Sequence, residues 1–188
     1  MRGYSQLPEG YAEKLHIDIQ KDKKLSILLN VFSIVIAVTM IVIAVICRPY
    51  RWELSRALLR RLMVLVIGMI AYLFLQGAAI CVCMKIFKAE KIKYGFTGLY
   101  VYAGSENTFL DKVSYLIITW APFIVWGVVF LLLNLLLPEA WFWVAYLWQV
   151  CNVSSAVGAF YISFRVIKMP RDVFVRDTGL GITLYTKN

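Results

Sequence analysis

Few side chains in this 188-residue chain could carry chemistry, and their placement restricts what that chemistry is. His16 is the single histidine. It stands in a polar leader between Glu13 and Asp18, where a solvated or interfacial imidazole is expected rather than a metal ligand. The four cysteines, Cys47, Cys81, Cys83 and Cys151, fall in or at the edge of apolar runs, where a thiol packs as a small hydrophobe. On a helix, residues 81 and 83 point about 200° apart and cannot chelate one ion together. Gln149, Asn152, Ser154, Ser155 and Gly158 cluster in another apolar run. Polar and small residues at membrane depth face neighbouring helices or a cavity. Neither a histidine-ligated zinc site nor a disulfide framework follows from these residues.

The elements that position them are membrane spans. Hydrophobic residues make up 61% of the chain and charged residues 16%, against roughly half and a quarter in soluble domains. A helix needs about 20 apolar residues to cross a hydrocarbon core of about 30 Å. Runs of that kind predict spans at 25–47, 62–84, 115–137 and 141–167, with Pro138 and Glu139 turning the third into the fourth. The expected architecture is an all-α polytopic membrane protein of about four transmembrane helices, with a short β-hairpin between the second and third. The segments are a cytoplasmic leader (1–24), a retained anchor (25–47), an interfacial connector (48–61), a membrane core (62–169) and a cytoplasmic tail (170–188).

Charge sets the expected orientation. With both termini inside, 15 of the 20 basic residues lie on the inner side, and the loop between spans three and four carries none, as the positive-inside bias requires. Arg48, Arg51, Arg56, Arg60 and Arg61 oppose that pattern. Interleaved with Trp52, Leu54, Ala57, Leu58 and Leu59, they suit a helix at the interface whose arginines snorkel. The net charge of +9 is thus spread over span ends, which fits anionic headgroups and not nucleic acid. The lipid bilayer is the expected partner.

Lys91 to Gly104 mixes β-formers with Gly95 and Gly98, which predicts a hairpin at the inner surface. Pro122 removes one helical hydrogen bond and bends span three. The polar stripe of span four is expected to face span two.

The order of these features resembles a known group. A second span ending in Met84-Lys85-Ile86-Phe87, then Lys91-Ile92-Lys93-Tyr94-Gly95-Phe96 with an aromatic hairpin, then Ala121-Pro122-Phe123, then Asn152 six residues before Gly158, is similar to the site-2-protease-like zincin family of bacterial membranes. The resemblance runs from about Arg60 to Tyr185. It implies H-E-x-x-H in span two, with two histidines on one helix face holding zinc, a glutamate activating water, and a third ligand, an aspartate, after the span-four glycine. In this register the motif positions are Gln76, Gly77, Ala78, Ala79 and Ile80, and the aspartate position is Ala159.

The ligand and base positions Gln76, Gly77, Ile80 and Ala159 are therefore vacated, and the expectation is a catalytically inactive homologue without a cofactor, although the family implies zinc. Gln76 and Asn152 are expected to hydrogen-bond across the spans, a contact of about 0.5 to 1 kcal/mol. The implied location is a bacterial cytoplasmic membrane. Three functional readings stand. One is a pseudoprotease that binds a membrane client through Tyr94, Phe96, Tyr100, Tyr102 and Asn152 by strand addition. The second is an interaction or immunity-type subunit without a groove, and the third an enzyme or transporter with an unrecognised site.

Overall fold

The computed structural model describes residues 3–18, 21–48, 56–96 and 101–187. Along the chain the elements are β1 (Gly3–Tyr4), β2 (Tyr11–Ile17), α1 (Lys23–Cys47), α2 (Arg56–Ile86), β3 (Ile92–Phe96), β4 (Val101–Ser105), β5 (Phe109–Asp111), α3 (Lys112–Leu136), a 3-10 turn (Glu139–Trp141), α4 (Phe142–Ser155), α5 (Val157–Ile167), β6 (Phe174–Asp177) and β7 (Ile182–Lys187). Arg51, Trp52, Leu54 and Gly98 lie outside the described residues, as does Tyr100.

Each long helix has a local cause for its ends. Asp22 accepts from Leu25 N at 3.0 Å and Asp111 from Ser114 N at 2.8 Å, so carboxylates satisfy orphan donors at the starts of α1 and α3. At the end of α2, Ala89 N donates to Met84 O and Lys88 N to Lys85 O, the paired bonds of a Schellman cap. Lys88 takes the left-handed position of that cap at φ 59° without being glycine. Leu137 is extended because Pro138 follows it, which stops α3.

Four helical stretches, 23–47, 56–86, 112–136 and 139–167, are long and apolar enough to cross a membrane. Among its described residues α1 buries only Ala44; its other apolar side chains are half-buried or exposed. Two boundaries differ from expectation. The stretch 56–61, expected as part of a connector, continues into α2, whose 31 residues reach about 46 Å at 1.5 Å per residue. The fourth span breaks at Ala156: Ser155 Oγ donates to Asn152 O at 3.0 Å and Ala156 N to Val153 O at 3.2 Å, replacing the regular helical ladder with i−3 bonds.

The fold is mostly helical with four long apolar helices, but it holds more strand than the one expected hairpin. Besides the β3–β4 hairpin there is a five-stranded antiparallel sheet ordered β1-β5-β6-β7-β2. It draws the leader, the loop after the hairpin and the tail together, and β2 pairs with β7 from Tyr11↔Lys187 to Ile17↔Ile182, with an irregularity between Glu13 and Leu15. Both ends of the chain therefore meet on one side of the bundle. The sheet is seated on the helix ends through one apolar cluster: Leu110, Val173, Val175, Ile182 and Leu184 pack with Met84 of α2, Tyr115 and Ile118 of α3, and Ile162 and Val166 of α5.

At the opposite end, Arg48 reaches Glu139 at 3.5 Å and lies 4.9 Å from the Phe142 ring centroid. Both partners of the ion pair are largely exposed, so it contributes little.

Candidate functional site

Helix α4 is the hub of the helix bundle, and its polar side chains reach three neighbours. Tyr146 donates to Met40 O of α1 at 2.8 Å, Trp148 Nε1 to Leu65 O of α2 at 3.1 Å, and Asn152 Nδ2 to Phe123 O of α3 at 3.1 Å. Asn152 Oδ1 accepts from the Tyr72 hydroxyl at 2.9 Å. Two glycines permit the approach. A β-carbon at Gly68 would lie 2.2 Å from Trp148 Cζ2, and one at Gly127 would lie 3.3 Å from Asn152 Nδ2.

The expected Gln76–Asn152 bond is not what joins the helices. Asn152 Oδ1 accepts from Tyr72, one turn before Gln76 on α2, and Asn152 Nδ2 donates to Phe123 O of α3. Tyr72 is 4% exposed and Asn152 1%, and the ring of Tyr72 packs edge-on to Trp126 and Phe130. Tyr72 was missed because a tyrosine in a span reads as apolar bulk, yet its hydroxyl is the polar tip that a buried tyrosine must satisfy.

The motif positions lie on α2 and α5. Gln76 and Ile80 are half-buried, Gly77 is buried, and Ala159 of α5 is half-buried. Ile80 packs against the apolar cluster beneath the sheet.

The hairpin pairs Ile92↔Ser105, Tyr94↔Ala103, Gly95↔Tyr102 and Phe96↔Val101. Its aromatics divide between two faces, as strand alternation requires. Tyr94 donates its hydroxyl to Phe74 O at 3.0 Å and Phe96 lies 6.0 Å from the Phe74 ring, so this face rests on α2. Tyr102 is on the other face, its ring lying where a β-carbon of Gly95 would be.

A β-carbon at Gly104 would lie 2.1 Å from Gly179 N and from the Thr178 carbonyl carbon, so the turn between β6 and β7 packs on the face of β4 that Gly104 shares with Tyr102. The outer edge of β3 meets no strand among the described residues. The packed turn is shaped by Asp177, which accepts from Gly179 N at 2.8 Å. Burial pushes the Asp177 carboxyl up to about 6, and the Gly179 bond offsets part of the rise.

Residues 78–174, just over half of the chain, match the family model described as putative zincin peptidase. The chain belongs to this zincin peptidase family. No curated protein and no solved structure matches it. Membership corrects two expectations, that the chain is not an enzyme and that it has no cofactor: a peptidase family points to an enzyme, and a zincin family implies zinc. The match begins at Ala78, so Gln76 and Gly77 fall outside it, while Ile80 and Ala159 fall within.

The zincin donor set itself does not fit a zinc ion at these positions. Gly77, Ile80 and Ala159 carry no side-chain donor atom, and among the described residues no three His, Cys, Asp or Glu side chains gather in one place. His16 is on β2, where its Nδ1 lies 3.0 Å from Thr183 Oγ1. No zinc-dependent step can be drawn from these donors. What the zincin scaffold does offer is a hairpin seated on α2 by Tyr94 and covered on its other face by the Thr178–Gly179 turn, with the outer edge of β3 free of any strand among the described residues.

Proposed function

We propose that this zincin-family chain engages an extended segment of a membrane polypeptide by strand addition along β3. The observation that carries the reading is the free edge of the hairpin: β3 pairs with β4 on one side and meets no strand on its outer side among the described residues. An open edge offers main-chain hydrogen bonds, with side chains of alternate residues giving selectivity. Engagement of this kind is the step that a peptidase and a polypeptide-binding homologue have in common. We place the sheet and both termini on the cytoplasmic side of a bacterial membrane, because the basic residues of leader, middle loop and tail converge there.

A photoreactive residue at Phe96, which is 56% exposed, tests the reading against one at Ile34, 61% exposed on α1. Adducts from Phe96 that map to an extended stretch of a membrane protein, with none from Ile34, support it. Equal capture from both positions removes it.

The filled contact between α2 and α4 favours a second reading, an interaction or immunity-type subunit that grips a folded partner without a groove. Adducts from Phe96 that map to a folded domain would support that one instead.

A further inference from the structure

Helix α3 carries a feature that strand addition does not use. One face from Val113 to Val125 lines an apolar groove of about 530 Å³, with Ala121 as the small residue midway. Trp120 forms a fixed wall: its indole N–H donates to Ser163 Oγ at 2.9 Å, and its ring lies edge-on to Phe160 at 4.4 Å. The polar atom of the tryptophan is thereby satisfied inside the protein, and the groove presents carbon.

From Val113 to Val125 the helix rises about 18 Å, close to the depth of one leaflet of a hydrocarbon core about 30 Å thick. The leaflet is the one on the side of the sheet, since α3 begins there. At that end the groove meets cations. Lys112 precedes Val113, and its ammonium donates to Ile167 O at 2.8 Å and Met169 O at 2.7 Å at the end of α5. Lys168 lies beside it, its Nζ 4.2 Å from the centroid of the exposed Phe164 ring. Arg165 stands one turn earlier, in the last turn of α5. None of the three forms an ion pair with a carboxylate among the described residues.

An apolar trough one leaflet long, ending at basic side chains that lack anions, has the chemistry of a phospholipid site. We infer that the α3 groove binds one anionic phospholipid, an acyl chain lying along Ala121 and the phosphate resting against Lys168 and Lys112. A net-negative headgroup is selected because juxtamembrane cations attract it, and a zwitterionic one brings its own cation.

The test uses the full chain in detergent, incubated with phosphatidylglycerol or phosphatidylcholine and read by native mass spectrometry for retained lipid. One phosphatidylglycerol retained at least tenfold more strongly than phosphatidylcholine is the expected result, and K168Q should abolish that preference. A121W and, on the exposed rim, I124W should each lose the bound lipid, while I34W on α1 keeps it; an unchanged melting temperature establishes that each variant is folded. Inorganic phosphate at millimolar concentration should not displace the lipid. Equal retention of the two lipids overturns the anionic selection. Retention that survives both groove variants, displacement by inorganic phosphate, or crosslinks from Ile117 that yield a dimer or another protein overturns the site.

Discussion

Tyr72 of α2 donates its hydroxyl to the Asn152 side chain of α4 at 2.9 Å, and the same Asn152 donates to the backbone of α3 at Phe123. One buried amide thus joins three helices where hydrophobic burial supplies no preference between protein and lipid.

Breaking this tie should be measurable in two steps. Y72F removes the 2.9 Å bond to Asn152 and the 3.4 Å contact with Ser155 and is expected to cost about 0.6 to 1.7 kcal/mol, from the mean to the maximum of interhelical bonds measured in membranes. N152A removes both bonds of the amide and leaves the Tyr72 hydroxyl only its longer 3.4 Å contact with Ser155 Oγ, so it should cost more, and the double variant less than the sum of the two. Reversible unfolding in mixed micelles gives all three values. Strict additivity would show that the two side chains do not interact.

At Gly68 the argument is steric. A methyl group there would meet the Trp148 ring at 2.2 Å, and Trp148 is held by its bond to Leu65 O. G68A should destabilise by about 1 to 3 kcal/mol despite the better helix propensity of alanine. A rise in melting temperature would contradict the close packing of α2 on α4.

The hairpin depends on Gly104 in another way. The obstructing atoms at Gly104 are backbone, of Thr178 and Gly179, and cannot rotate aside. G104A should therefore release the β6–β7 turn from β4 while the helices persist. Faster amide exchange at residues 178–181, with helical circular dichroism unchanged, is the expected outcome.

Stability should depend on pH through Asp177. Its carboxyl is raised from 3.8 to about 6 in the folded chain, so between about pH 4 and 6 the unfolded chain has lost the proton that the folded chain keeps. Stability then falls as pH rises, by at most about 1.4 kcal/mol per unit, and levels off above the folded value. D177N should flatten this slope. A wild-type slope of the opposite sign between pH 4 and 6, reversed by D177N, would show that the carboxyl is not buried at a cost.

The spans were legible because lipid imposes a length and a composition on each helix separately, and Pro138 marks the turn between the last two. The hairpin was legible for a similar reason, since β3 and β4 are neighbours in the chain and Gly95 leaves room for Tyr102. The five-stranded sheet was not. Its strands are short, and β2 finds β7 across almost the whole sequence, so neither segment shows its pairing alone. The tail residues Ile182 and Leu184 look like scattered apolar residues until the ends of α2, α3 and α5 supply the surface that buries them.

For the site, the sequence alone determined which donor atoms exist, and hence that Gly77, Ile80 and Ala159 cannot ligate a metal through their side chains. It also carried the family, through Met84 to Phe87 and the hairpin that follows. Tertiary structure decided where the remaining polar groups are used. It paired Asn152 with Tyr72 and not Gln76, split Tyr94 and Tyr102 between two faces, and laid the Thr178–Gly179 turn over one face of β4. The physical reason is that a side chain's type is fixed at its own position, whereas its partner and its exposure depend on which distant segments fold against it.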